Sequence, residues 1–227
     1  MIRLFTRLFA ILSLIAMGLA PTGHAVAARP GNGPLPGMVR VRIVTSQGAI
    51  VVALDARRAP KTTANFLAYV DDGRFDDTQF YRATRRKSDA RFGFVQGGIG
   101  TDARRILPSP PLEQTDRTGL RHRDGTISMA HGSNPDSATG NFSIMVGDNP
   151  TLDARPGSRG YAAFGQVIAG MDVVRRILAL PTGGGRDAMR GQMILNPVRI
   201  IRVERIDGKP HPTGGPRPWL IGLPARR

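Results

Sequence analysis

No cysteine occurs anywhere in the 227 residues, so no disulfide can staple the fold and stability has to come from a packed core. Lysine is nearly missing as well: three lysines stand beside 29 arginines, and with 17 acidic residues the formal charge is +15. The four histidines are too scattered for a metal site, because His24 lies near the start, His211 near the end, and His122 and His131 lack zinc-type spacing. Metals and cofactors are therefore not expected. The elbow pattern G-x-S-x-G is absent, and Ser128, His131 and Asp124, neighbours along one strand, do not converge as a hydrolase triad must. Beyond the first residues no apolar run is long enough for a membrane helix, so the mature chain is expected to be soluble.

What is present begins with a leader. Arg3 and Arg7 form a positive start, Leu8 to Ala20 is an apolar run interrupted by Ser13, and Ala25-Val26-Ala27 is an A-x-A cleavage site. The run is shorter than the roughly 20 apolar residues that span a bilayer. Residues 1–27 therefore read as a signal peptide, with an uncleaved anchor as the alternative, and export to the periplasm or another extracytoplasmic space is expected. Cleavage removes Arg3 and Arg7 but no acid. The arginine excess that remains favours anionic envelope surfaces as partners, or else reflects arginine use on a solvated face. Nucleic acid is not an expected partner.

Residues 28–37 are a Pro/Gly-rich linker, and order is expected from Met38. Val39, Val41 and Ile43 alternate with Arg40 and Arg42, and a turn at Ser46-Gln47-Gly48 leads into a second strand over 49–54. Pro60 opens a helix whose apolar positions are Ala64, Phe66, Leu67 and Val70, and Gly73 closes it. A second helix runs from Gly170-Met171-Asp172 to about Leu180, with Val173, Val174, Ile177 and Leu178 on one face and Pro181 as its stop. The last strand is expected over 196–206, and residues 207–227 read as a Pro-rich, mobile tail. The string Gly98-Ile99-Gly100-Thr101-Asp102-Ala103 imitates a dinucleotide loop, but Pro108, Pro110 and Pro111 oppose the helix such a site needs. Gly183-Gly184-Gly185 lacks the Lys-Ser/Thr of a phosphate loop and reads as a flexible turn.

Three stretches stand in a telling order: Phe80-Tyr81-Arg82, then Phe94-Val95-Gln96-Gly97-Gly98, then Gly125-Thr126-Ile127-Ser128-Met129-Ala130. Together they resemble the core of the cyclophilin-type peptidyl-prolyl cis-trans isomerases. The following segment, SMAHGSNPDSATGNFSIMV, is similar to the family's run from a substrate-binding strand to a Ser-Gln-Phe-Phe strand. Asn141 stands in place of that Gln and Ser143 in place of the second Phe. Phe94 falls on a family Met and Gly93 on a family Phe, leaving Phe92 or Phe94 to fill the slot. Leu152-Asp153 matches a Leu-Asp element, and Tyr161 falls where an aromatic residue caps the site.

The resemblance covers residues 38–206 and implies a mainly β fold: a closed eight-stranded antiparallel barrel capped by two α-helices. It implies Arg82 and Gln96 as the catalytic pair. Phe94, Ala130, His131, Asn141, Ser143, Leu152 and Tyr161 are the implied substrate-binding residues. Such a site needs no nucleophile. A peptide C–N bond resists rotation by roughly 18–20 kcal/mol, and only X-Pro bonds populate both isomers appreciably. A fixed donor aimed at the imide nitrogen favours the twisted state over either planar one. The expected function is prolyl isomerisation that assists folding of exported proteins, with proline-containing peptides and unfolded chains as partners and a monomer as the working form. The alternative is a catalytically weak peptide-binding module or chaperone.

Overall fold

The structure is a computed structural model that describes residues 36–220. The expected leader and most of the linker lie outside these residues. Twelve regular elements follow in order: β1 (Met38–Thr45), β2 (Gly48–Asp55), α1 (Pro60–Asp71), β3 (Thr78–Arg85), β4 (Gly93–Gly98), α2 (Thr115–Thr118), β5 (Thr126–Met129), β6 (Asn141–Val146), β7 (Ala163–Ala169), α3 (Met171–Leu178), β8 (Thr182–Gly183) and β9 (Met193–Arg205). The strands pair antiparallel in the order β1-β2-β7-β5-β6-β4-β3-β9, and β1 also pairs with β9, so eight strands close into a ring. The two-residue β8 adds a short hairpin arm on β9. The barrel is the expected one. To the two expected α-helices the structure adds a third, α2, of one turn, within the long loop.

Alternation fills the barrel. Val41 and Ile43 of β1 and Ile50, Val52 and Leu54 of β2 point inward, while Arg40 and Arg42 face out. In the middle Phe142 meets the rings of Phe66, Phe75 and Phe80 edge-on at 5.5, 5.5 and 5.7 Å, the arrangement that aromatic quadrupoles favour. Pro60 occupies the start of α1, where a missing N–H removes no hydrogen bond. This helix buries Phe66, Leu67, Tyr69 and Val70, and α3 buries Val173, Val174, Ile177 and Leu178, all within one core. No helix among the described residues is long and apolar enough to cross a membrane.

β3 changes phase midway. Thr78 and Phe80 are buried, but the register against both neighbours slips between Phe80 and Arg82, and the next buried residue is Ala83. Tyr81 is thus an extra residue in the ladder, a bulge that turns Arg82 and Thr84 to the outer wall. Opposite, β9 loops out between Met193 and Val198, which gives Pro197 a place with no ladder bond to break.

Of the expected mobile tail, residues 221–227 lie outside the described residues, while residues 207–220 are tied to the barrel. Asp207 receives the Arg40 guanidinium at 2.8 and 2.9 Å, the His211 amide donates to Asp71, and Thr213 donates to Asp72 through its amide at 2.7 Å and its hydroxyl at 2.6 Å. Trp219 is buried, its indole N–H donating to the Gly73 carbonyl at 3.2 Å, with the Arg74 guanidinium 4.3 Å from its ring centre. Composition suggested looseness, but one aromatic residue supplies the apolar area that anchors the segment. Truncating a buried Trp leaves a cavity that costs about 3 kcal/mol or more. Trp219→Ala should accordingly lower the midpoint of urea unfolding, and an unchanged midpoint would show that the strap does not bear on stability.

Candidate active site on the barrel wall

The bulge places Arg82 beside Gln96, and the two are direct partners across β3 and β4. In β4 Val95 points inward, so Phe94 and Gln96 share the outer wall with Arg82 and Thr84. Gln96 in turn pairs with Ser143 of β6, and Ser143 with Ser128 of β5. Arg82 Nη1 donates to Gln96 Oε1 at 2.9 Å. Its Nε and Nη2 donate to Gln192 Oε1 at 2.9 and 2.7 Å, Nη2 also reaches the Ala188 carbonyl at 3.4 Å, and the Phe94 ring centre lies 5.3 Å from Arg82 Cζ. Burial pulls the Arg82 pKa below the ordinary guanidinium value, though arginine starts so high that it keeps its charge.

Asn141 does more holding than expected. Its Oδ1 accepts the Gly100 amide at 2.8 Å and the Tyr81 hydroxyl at 3.2 Å, while Nδ2 donates to the Gly100 carbonyl at 2.9 Å. A carboxamide has two acceptor sites and two hydrogens, so one hydrogen remains for a peptide. Burial pushes the Tyr81 phenol up to about 12, which keeps it protonated as that donor. A cavity of about 820 Å³ opens alongside, lined in part by Tyr81, Gln96, Gly100 and Asn141.

The other expected residues gather at the rim. The Ala130 amide donates to the Asn141 carbonyl at 2.9 Å, and the Tyr161 amide to the Leu152 carbonyl at 3.0 Å. His131 stacks on Tyr161 with ring centres 4.2 Å apart, its Nδ1 2.7 Å from the Gly132 carbonyl and its Nε2 3.0 Å from that of Gly160. Phe92, in contrast, does not enter the slot. It lies over Gly147 just beyond β6, with the guanidinium carbons of Arg86 and Arg91 5.5 and 5.7 Å from its ring centre. Gly93 is required by the backbone: its φ is +151°, and a Cβ there would collide with the Thr84 carbonyl. Phe94 therefore remains as the aromatic residue next to Arg82, and Ser143 keeps its small side chain between Gln96 and Ser128.

Ser128 does meet a histidine and an aspartate, though not the two neighbours in sequence. His122 Nδ1 is 2.7 Å from Asp153 Oδ1 and Nε2 is 2.8 Å from Ser128 Oγ. A carboxylate only accepts, so Nδ1 carries the proton and Nε2 accepts from the serine. With Ser128 and His122 each 1% exposed, the hydroxyl is sealed inside the wall and the trio is a strut between β5 and the 149–153 turn. Among the described residues no group of three or more His or acidic side chains is placed to hold a metal ion.

Gln192 and Thr84 were not singled out by the sequence, Tyr81 figured only as part of the Phe80-Tyr81-Arg82 stretch, and His122 only as a histidine without metal-site spacing. A glutamine 110 residues from Arg82 carries no local signal, and only the pairing of β9 with β3 brings it there.

Comparisons with known proteins point to one family. A family model described as cyclophilin type peptidyl-prolyl cis-trans isomerase/CLD matches residues 40–205. A peptidyl-prolyl cis-trans isomerase of Acinetobacter baylyi is 34% identical over 192 residues, covering 85% of this chain and 93% of that protein. Peptidyl-prolyl cis-trans isomerase A of Dickeya dadantii is 39% identical over 165 residues, or 71% of this chain and 84% of its own. Among solved structures, a cyclophilin type isomerase of Cryptosporidium parvum superposes with a TM-score of 0.59 at 22% identity, covering 76% of this chain and 99% of that one. A second crystal structure, of that isomerase in the presence of the dipeptide Ala-Pro, gives 0.58 at 23% identity over 74% of this chain and 99% of that one.

The strut has a pH signature. Burial lowers the His122 pKa and outweighs the attraction of Asp153, whereas in the unfolded chain the imidazole titrates near pH 6.5. Below that value the unfolded state binds more protons, so stability is full above about pH 6.5 and falls as the pH drops toward the folded value. Buried carboxylates with lowered values, such as Asp55 and Asp72, act only at lower pH, below about 4. Urea unfolding should thus show lower stability at about pH 5.5 than at about pH 7.5. A His122→Gln variant should be less stable at the upper value and show a flatter profile. An equally steep profile in that variant would assign the loss to another group.

Proposed function

We propose, for a chain that belongs to the cyclophilin-type peptidyl-prolyl cis-trans isomerase family and is itself a peptidyl-prolyl cis-trans isomerase, that it assists the folding of exported proteins outside the cytoplasm. The observation that carries the catalytic part is Arg82, turned outward by the bulge and held by Gln96 at 2.9 Å. In this reading a peptide lies along the outer wall with its proline ring against Phe94, Ser143, Leu152 and Tyr161. Ala130, His131 and the remaining Asn141 hydrogen border the neighbouring backbone. The related Cryptosporidium isomerase was crystallised in the presence of Ala-Pro, which supports a proline-containing ligand here.

Arg82 directs a fixed positive charge and an N–H at the imide nitrogen. As the C–N bond twists, the nitrogen lone pair leaves resonance and becomes an acceptor. That donor therefore stabilises the twisted state more than either planar isomer. The supports for export are Arg3, Arg7, the apolar run and Ala25-Val26-Ala27. The arginine excess supports encounter with anionic envelope surfaces, and the working form in this reading is a monomer.

Two measurements test this. NMR exchange on an X-Pro peptide should show Arg82→Ala slower by about 100- to 1000-fold, the usual loss for one preorganised donor. Arg82→Lys should recover little, because a flexible point charge cannot be held as a planar fork. Wild type no faster than Arg82→Ala, with peptide still bound by both, would favour the binding-module alternative. For the location, mass spectrometry of protein from the native envelope should find a chain starting near Ala28. Recovery of only the full-length chain from the cytoplasm would refute export.

A further inference from the structure

A guanidinium has five N–H donors, and its usefulness to a twisting bond depends on how its plane is held. Gln96 engages one Nη1 hydrogen, and a group fixed at that single point is free to pivot. The opposite edge is held elsewhere. Gln192 Oε1 accepts both Nε–H at 2.9 Å and an Nη2 hydrogen at 2.7 Å, a fork that two donors in one plane can satisfy together. The second Nη2 hydrogen points to the Ala188 carbonyl at 3.4 Å. Four of five hydrogens are thereby assigned, and the fifth, on Nη1, is left for a ligand.

Gln192 is itself held from three sides. Its Oε1 accepts the Thr84 hydroxyl at 2.7 Å, its carbonyl accepts the Ala83 amide at 3.0 Å, and its amide donates to the Met189 carbonyl at 3.0 Å. The loop before it is closed by the Gly191 amide on the Gly184 carbonyl at 2.5 Å. Gly185 has φ +77°, and a Cβ there would strike the Met189 carbonyl, so the loop's path depends on glycine.

We propose that Gln192 is the second positioning residue of this active site: it fixes the plane of Arg82 from the edge opposite Gln96 and leaves one Nη1 hydrogen for the imide nitrogen. The glycine-flanked loop of residues 184–191 then belongs to the catalytic apparatus although none of it touches the proline ring. The inference rests on the isomerase reading of the Arg82 site.

The test is NMR exchange on one X-Pro peptide with the full domain, read as rate at saturating peptide and, separately, as peptide dissociation constant. Gln192→Leu removes the acceptor at nearly constant volume and should lower the saturated rate about tenfold or more, with the dissociation constant changed less than about twofold. Gln192→Glu keeps an oxygen at the same reach and should stay within about threefold of wild type. Thr84→Val removes only the hydroxyl that holds Gln192 and should cost about threefold, which keeps the question decidable if Gln192→Leu fails to fold. A wild-type rate in Gln192→Leu, or in Thr84→Val should Gln192→Leu not fold, would overturn the proposal. So would a loss in Gln192→Glu as large as that in Gln192→Leu, or a fall in affinity that accounts for the whole effect. Arg82→Ala in the same series separates the two levels. If wild type is no faster than Arg82→Ala, the isomerase reading of this site fails; if it is faster while Gln192→Leu matches wild type, only the role of Gln192 fails.

Discussion

A closed barrel of eight strands has an interior just wide enough for side chains, so any group that is to meet a peptide has to stand on the outer wall. The bulge at Tyr81 satisfies that constraint for Arg82. Strict alternation from Phe80 would aim residue 82 into the core, where an arginine has no partners. The inserted residue reverses the phase, and the positions that follow, Thr84 on β3 and Phe94 and Gln96 on β4, fall on the same face. The loop-out in β9 is the other half of the same irregularity, and it delivers Gln192 to the arginine's second edge.

The departures from the family pattern sort by cause. Gly93 answers to backbone geometry and says nothing about the ligand. Asn141 has turned half of its hydrogen-bonding capacity to the Gly98–Thr101 turn, accepting from the amide of Gly100 and donating to its carbonyl. Ser143 is the change that alters the slot itself, since Phe92 lies over Gly147 and does not replace the missing ring. The site is therefore rigid at its charged end and less apolar at its other end.

Alternation in β1 and β2 and helical spacing in α1 and α3 made those elements legible locally, whereas the closed barrel followed from the family resemblance carried by the succession of Arg82, Gln96 and the 126–130 strand. Strand and helix limits came within a few residues for the same reason. Gln192 was not legible, because a lone glutamine after a glycine run has no periodicity and acquires its role from a pairing 110 residues distant. His122 and Asp153 failed similarly: a search for neighbours found His131 and Asp124, whereas the fold joined residues 31 apart. Trp219 was hidden in a segment whose prolines and glycines argued for looseness, and its fate depended on a recess between Arg74 and Arg105 that no sequence window contains.

Because the ring closes between its first and last strands, time enters the design. In a chain delivered N-terminus first β1 and β2 emerge long before β9, and whenever they pair one edge of β1 waits with its amides and carbonyls unmatched. Such an edge is a template for any other extended chain nearby. Late, long-range closure of this kind is also the slow step in β topologies. The arginines at positions 40 and 42, alternating along that waiting edge and facing outward, carry like charge, and another chain of this sequence approaching it would be repelled until β9 arrives with Glu204 to face Arg42.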